Sequence, residues 1–414
     1  MNSKGTARIS VFVLVMLLSL STLVACSNEE YITTANEASY YGIVETNLST
    51  EEKLEDFQYM YNLLKENYTF FKVNERLYGI DWLGNHKKYE KIIKNTKNDA
   101  EFFVAINNIL SDLNNDHTHV FSGEVYKRYY KHFYPFEHEV LNYEKSKERY
   151  GFNGNVETIE LNPNSNFLIS DEPVLETKVL IEDELAYMRI KSMSNYHITE
   201  DYPRIQKFLE EVEDYEKLII DIRGNSGGFD DYWKNIVGFL IDETYKVEYY
   251  SFFRGDYRDK YEMYKVATGK PIEKLDESIL EKFPEEVKTD FDYYDKNFVI
   301  VQPWNLVDFK GKVYLLVDKY VFSSSEKFAS FAKDTGFATL VGETTGGDRV
   351  FPEIPFAYLP NSGLVFRFSS ELGINADGTI NMETKTVPHI IVDDPTPNDD
   401  FKQDKCIQAV INNK

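Results

Sequence analysis

Residues Lys312–Gly347, KVYLLVDKYVFSSSEKFASFAKDTGFATLVGETTGG, bring three serines to the point where an apolar strand gives way to a helix. A helix start offers unpaired backbone N–H groups and a partial positive charge. An oxyanion formed there is stabilised without any added side chain, which is the chemistry of acyl transfer. The same residues spell a capping box, with Ser323 as N-cap and Glu326 three residues on, and taken alone the triplet is better explained that way. A nucleophilic serine needs more: a base for its proton, a group to orient the base, and donors for the oxyanion.

The periodicity upstream offers a place for the base. Leu54, Phe57, Tyr61, Leu64 and Tyr68 recur at spacings of three and four, as do Phe102, Ala105, Ile106, Ile109 and Leu113. This predicts a small helical domain over residues 49–120. Its last helix stops at Asn114-Asn115-Asp116 and hands His117 to the loop beyond. Residues 121–180 mix tyrosines and charges without a period and form an unassigned connecting region. Strand Leu185–Ile190, a helix around Tyr202–Val212 and the apolar strand Leu218–Ile222 then suggest a βαβ unit. A helix at Asp231–Ile241, a strand at Val247–Phe253 and the charged insertion 254–294 follow. Phe298–Val301, Lys312–Val317, the Ser323 helix, Ala338–Val341 and Leu364–Phe368 complete an α/β core over 181–395, with a tail at 396–414. Catalytic groups in such sheets gather at strand ends.

With 414 residues, 42% of them hydrophobic and 15% aromatic, the chain has ample material for packed cores and is no disordered scaffold. Lys4 and Arg8 precede the apolar run Ile9–Ala25, which ends on Leu23-Val24-Ala25-Cys26. That is the layout of a secretory signal, and the cysteine after a small residue resembles a bacterial lipoprotein signal. Residues 1–25 would be removed, Cys26 would carry the lipid that anchors the chain to the cell membrane from outside, and polar residues 26–48 would be a flexible tether. The run is short for a transmembrane anchor and is diluted by serines and a threonine.

A formal charge of −23 repels nucleic acid phosphates, so no nucleic-acid partner is expected. The only other cysteine, Cys406, would then have no partner for an internal disulfide. Seven histidines are present but no H-x-x-x-H or C-x-x-C pair, so neither a metal nor another cofactor is expected.

Five separated segments resemble one family in order, the C-terminal processing and tricorn core peptidases. LNNDHTH at Leu113–His119 looks like their "L-x-D-G-H-T" segment, and ELAYMRIKSM at Glu184–Met193 like the strand that opens their core. LIIDIRGNSGG at Leu218–Gly228 is similar to "DLRGNGGG", and Lys312–Gly347 to the nucleophile strand, helix and "GETTGG" run. DGTINMETKTVPHIIV, from Asp377 to Val392, resembles the closing "DG…E…GVxPDI".

The resemblance implies an α/β fold, a ClpP/crotonase-like core of twisted sheet and helices preceded by a small helical bundle. It implies a serine peptidase acting on a peptide or protein substrate, with Ser323 as nucleophile, His117 as general base and Glu383 as the acid that orients it. Gly227 or Gly228 and the N–H of Ser324 would form the oxyanion hole. His119 would be structural, and Asp221 and Arg223 would stabilise the turn. Family members with a Ser/Lys dyad carry a lysine after the "GETxxG" run. Asp348 stands there instead, and an acid cannot supply a neutral amine, so the resemblance is to the tricorn-type Ser/His/Glu branch. Lys327 and Lys333 are read as surface residues. Nothing in 121–180 resembles a PDZ module, and His389 replaces the aspartate of "PDI". Because the superfamily also contains ligand carriers, a non-catalytic peptide- or lipid-binding protein is the alternative.

Overall fold

Ser49 opens the first long helix with a reciprocal cap: its Oγ accepts from the Glu52 N–H at 3.2 Å, and Glu52 Oε2 accepts from the Ser49 N–H at 2.8 Å. The computed structural model describes residues 41–134, 138–159, 173–194, 197–261, 269–349 and 354–413, so Cys26 and the signal segment lie outside the described residues. Helix α1 (Thr50–Asn67) buries Phe57, Met60, Tyr61 and Leu64. With α2 (Phe71–Tyr78), α3 (His86–Lys94) and α4 (Asp99–Ser111) it surrounds Trp82, whose indole N–H donates to the Ile109 carbonyl at 2.8 Å. Beyond α4, Asn114 takes a left-handed φ of 49° and turns the chain into β1 (His119–Val120). Asparagine tolerates that conformation better than most residues.

The connecting region holds α5 (Gly123–Phe133), capped by the Ser122 side chain, and β2 (Leu175–Ile181). Its tyrosines are ring-on-ring packing: Tyr126 stacks on Tyr150 with centroids 4.3 Å apart.

The βαβ unit consists of β3 (Leu185–Ile190), α6 (Ile198–Glu211) and β4 (Lys217–Asp221), with β3 and β4 parallel and Leu185 beside Lys217. After β4 come α7 (Asp230–Leu240), β5 (Tyr245–Phe253), β6 (Lys270–Pro271), β7 (Tyr293–Val301) and β8 (Lys312–Val317). They are followed by α8 (Ser324–Thr335), β9 (Thr339–Gly342), β10 (Phe356–Tyr358), β11 (Val365–Arg367), β12 (Leu372–Asn375), β13 (Ile390–Ile391) and α9 (Lys405–Asn412).

These strands form three sheets. The central one runs β13-β9-β8-β4-β3-β2, parallel except for β2. The strands read as one core are divided: β12-β5-β7-β6 and β1-β11-β10 are separate antiparallel sheets. The central sheet and β7 differ in burial. In β8 the last four residues are all buried, as a parallel strand covered on both faces must be, whereas β7 alternates exposed and buried.

On one face of the central sheet, α6, α7 and α8 bury Ile205, Leu209, Trp233, Ile236, Phe328 and Phe331. The other face is covered by α9 through Cys406, Ile407 and Val410, so much of the expected tail is a packed helix. Eight residues are too few for a periodic signal. Lys217 Nζ fastens this helix, donating to the carbonyls of Val410, Ile411 and Asn413 at 3.0, 3.1 and 2.8 Å.

Candidate active site

Ser323 stands where β8 hands over to α8. Its φ and ψ are 54° and −121°, a conformation that costs a non-glycine residue free energy. Its side chain makes no cap hydrogen bond, so the expected capping box is absent. The turn instead sets Oγ 3.2 Å from Nε2 of His117. Glu326, the expected cap partner, is buried and turned inward: its Oε1 accepts from Asn381 Nδ2 at 2.7 Å and Thr386 Oγ1 at 2.6 Å. Burial raises its pKa above the ordinary carboxylate value.

His117 arrives from the turn after α4. Its backbone N–H donates to Asn115 Oδ1 at 3.0 Å, and its ring stacks on Phe322 with centroids 4.7 Å apart. On the far side, Nδ1 lies 2.8 Å from Oδ2 of Asp348. A carboxylate oxygen only accepts, so Nδ1 carries the proton and Nε2 is left to accept from the serine hydroxyl. Asn115 ties the group together: its Nδ2 donates to the same Asp348 oxygen at 3.1 Å, and its Oδ1 also accepts from Ser369 Oγ at 3.1 Å.

Asp348, noted in the sequence only for excluding a lysine base, is therefore the acid behind His117. Glu383 is not. Its Oε1 is bound by the Arg76 guanidinium, at 2.7 Å from Nε and 2.6 Å from Nη2, and Arg76 also holds Glu286 at 2.6 Å. The one-turn helix Asn381–Thr384 explains the difference: Asn381 faces inward to Glu326, which leaves Glu383, two residues on, facing α2. Asp348 is carried into place by the glycine run. Gly347 pairs with Phe322 as an isolated parallel bridge, the Gly346 N–H donates to the Val321 carbonyl at 2.8 Å, and Asp348 itself has a φ of 59°. The signal that could have found it was its place, since the position that sets a lysine beside the serine in a dyad can set an acid behind a histidine.

Of the glycines, Gly227 and Gly228 have φ of 107° and 137°. A Cβ on Gly227 would stand 2.9 Å from the Ser324 nitrogen and 3.0 Å from Ser323 Cβ; one on Gly228 would stand 2.3 Å from the Met193 carbonyl oxygen. Both approaches require glycine. The Gly227 N–H is already used, donating to Asn225 Oδ1 at 2.9 Å, so Gly227 leaves room rather than supplying a donor. Among the described residues no acceptor is bonded to the N–H of Gly228 or of Ser324, which makes them the available pair.

His119 turns away, with Nδ1 2.9 Å from the Asp116 carbonyl oxygen, and burial with the nearby Arg367 charge pushes its pKa down to about 3. His389 Nδ1 accepts from the Leu340 N–H at 2.9 Å and so serves the β9 edge. Asp221 and Arg223 pair at 2.6 Å, and Arg223 reaches Asp404 at 2.8 Å. Lys333 is exposed, but Lys327 is not the surface residue expected: it is 8% exposed and its Nζ donates to Asp230 Oδ2 at 2.9 Å. Its place on the helix face packed against α7 accounts for the burial. Among the described residues no group of His, Cys, Asp and Glu could hold a metal. The arrangement presents a hydroxyl, an accepting imidazole nitrogen, an orienting carboxylate and two N–H donors, the set required for nucleophilic attack on a carbonyl.

Residues 184–392 match the model of Peptidase family S41, and residues 49–111 match that of the Tricorn protease C1 domain. Among curated proteins, none matches this sequence. Among solved structures, a candidate peptidase from Parabacteroides merdae is 20% identical with a TM-score of 0.56, covering 88% of this chain and 96% of its own. Mature CPAF complexed with lactacystin is 14% identical with a TM-score of 0.54, covering 83% of this chain and 94% of its own. At these identities the likeness is one of fold.

Proposed function

This chain belongs to peptidase family S41, and on that footing we propose that it hydrolyses peptide bonds with Ser323 as nucleophile, His117 as general base and Asp348 as the orienting acid. The observation that carries this reading is the continuous line from Ser323 Oγ to His117 Nε2, 3.2 Å, and from Nδ1 to Asp348 Oδ2, 2.8 Å. Nε2 takes the serine proton as Oγ attacks the scissile carbonyl, and Asp348 stabilises the imidazolium that forms. The tetrahedral oxyanion is held between the N–H groups of Gly228 and Ser324, the second at a helix N-terminus. His117 then gives the proton to the leaving amine, and water, activated by the same imidazole, releases the acyl group from Ser323.

A fluorophosphonate probe and a labelled casein substrate test this directly. Wild type should be labelled at Ser323 and cleave casein; Ser323→Ala should lose both, and His117→Ala should lose casein cleavage, with folding intact in each. Full activity in either variant would sink the assignment. Folded wild type that resists the probe and leaves casein intact favours the alternative, a peptide- or lipid-binding carrier on this fold.

The address is part of the proposal. The signal-like run ending at Cys26 supports lipidation of that cysteine and an extracytoplasmic place on the bacterial cell membrane. No described helix is long and apolar enough to cross a membrane. Metabolic labelling with a palmitate analogue tests the anchor: Cys26→Ser should abolish incorporation, and unchanged labelling would overturn it.

A further inference from the structure

Asp230, the first residue of α7, joins the two segments that carry the available N–H donors. It lies two residues beyond Gly228, and its Oδ1 accepts from Ser324 Oγ at 2.8 Å. Its Oδ2 accepts from Lys327 Nζ at 2.9 Å, and Lys234 Nζ approaches the same oxygen at 3.9 Å. The carboxylate thus grips α8 twice, at its first residue and one turn later. A serine at the first position of a helix ordinarily faces water or its own backbone. Ser324 is 1% exposed, and its hydroxyl bonds to a residue 94 positions away.

The grip falls where distance matters. An oxyanion pocket contributes only if both donors reach the position the oxygen occupies in the transition state, and displacement by about 1 Å costs about 100-fold in rate. Gly228 and Ser324 belong to different elements, the turn after β4 and the start of α8. Between them stands Gly227, where even a Cβ would crowd the Ser324 nitrogen at 2.9 Å, so the two segments are in close contact. Contact alone stops them approaching further but does not stop them separating. Asp230 supplies the restraint in that direction. Lys327 adds charge to the restraint: burial lowers its pKa and the Asp230 carboxylate opposes that change.

We propose that Asp230 is a positioning residue for the oxyanion pocket, which through the Ser324 hydroxyl and the Lys327 ammonium sets the separation of the Gly228 and Ser324 N–H groups. Its hydrogen bonds and ion pairs go to Ser324, Lys327 and Lys234 and not to Ser323 or His117, and this role rests on the reading of Ser323 as nucleophile. Its effect belongs to the transition state, so it should move kcat and leave KM almost unchanged.

The test uses the full chain, with p-nitrophenyl acetate hydrolysis for kcat and KM and the rate of fluorophosphonate labelling as an independent measure of attack by Ser323. Ser324→Ala removes only the hydroxyl and keeps the backbone donor. It should lower kcat about 10- to 100-fold with KM within about twofold, and slow labelling in parallel. Ser324→Thr, which keeps a hydroxyl, should restore most of the rate, and Asp230→Asn should behave like Ser324→Ala. Circular dichroism and thermal melting establish that each variant is folded. If Asp230→Asn does not fold, Ser324→Ala and Ser324→Thr decide the matter alone. A folded Ser324→Ala protein with wild-type kcat and labelling rate overturns the positioning role while leaving the peptidase reading intact. Wild type that is neither labelled nor active overturns the peptidase reading and this role with it.

Discussion

Asp348 and His117, 231 positions apart in the chain, are joined by a 2.8 Å contact from Oδ2 to Nδ1, and both side chains are almost entirely buried. Burial matters because the pair lies out of reach of bulk solvent, where its electrostatic interaction is strongest. It also fixes which ring nitrogen is free to face Ser323.

Asp348→Asn should therefore lower kcat by about a thousandfold or more, because an amide no longer selects the tautomer or stabilises the imidazolium. Glu383→Gln should leave kcat within about twofold, and since its Arg76 partner is 40% exposed, stability should change by no more than about 1 kcal/mol. Casein hydrolysis by the two variants separates the acids. A silent Asp348→Asn beside a crippled Glu383→Gln would reverse the assignment.

Gly227 offers a second test. Alanine there meets a φ of 107° and three atoms at or within 3.0 Å, among them the Ser324 nitrogen. Gly227→Ala should abolish fluorophosphonate labelling even where the protein melts cooperatively, because the added methyl pushes α8 away from the glycine turn. Labelling at the wild-type rate would show that the turn has slack, and that its closeness to Ser323 has no catalytic consequence.

The parts of the site that could be read in the sequence are those in which one local segment carries both residue and geometry. Ser323 sits between a strand and a helix, and His117 follows a helix stop, so each is placed by its own neighbours. Asp348 is not, because its reach to His117 depends on a positive φ and on Gly347 pairing with Phe322, neither visible as pattern. Glu383 failed for the same reason in reverse: its motif position was plain, but a one-turn helix turned it to Arg76. The capping box matched in spacing yet is absent, since the strained Ser323 backbone gives its hydroxyl to His117. Lys327 looked solvated because a lysine on an amphipathic helix usually is; only the packing of α7 against α8 buries it. Strands β3, β4, β5, β7, β8, β9 and β11 were legible individually, whereas β1, β6, β10, β12 and β13 are too short to show a pattern and β2 lies in the region left unassigned. The division among three sheets depends on long-range pairing, such as Tyr245 with Val301 across the whole insertion.

The C-terminal helix supplies a third prediction. Arg223 is fully buried and held by Asp221 at 2.6 Å and by Asp404 at 2.8 Å, the latter just before α9. Removing one carboxylate from a buried ion cluster leaves charge uncompensated, so Asp404→Ala should destabilise the fold by about 3 kcal/mol or more. It also removes the N-cap of α9, where Asp404 Oδ1 accepts from the Ile407 N–H at 3.0 Å. Chemical denaturation measures this, and a loss below about 1 kcal/mol would show that Asp221 satisfies Arg223 alone.

Glu371 gives a pH dependence whose sign follows from its burial. Burial raises its pKa to about 7, with the Arg258 charge and the Ser251 hydroxyl opposing the rise, and Lys327 and Asp295 also act on it. Its carboxyl pairs with Ser251 Oγ and stands 3.8 Å from Arg258. In the unfolded chain the group takes an ordinary value of about 4.3. Below that pH both states are protonated and nothing is lost. Between there and about 7, the unfolded state releases its proton while the folded state keeps it, so stability falls as pH rises, and above about 7 the loss is complete. Glu371→Gln cannot ionise and escapes the loss. Measured by denaturation from pH 4.5 to 8, the variant should gain on wild type by a few kcal/mol, at roughly 1.4 kcal/mol per pH step of one between the unfolded and folded values. Parallel curves for the two proteins would mean that Glu371 ionises in the folded state as readily as in water, with Arg258 close enough to compensate for its burial.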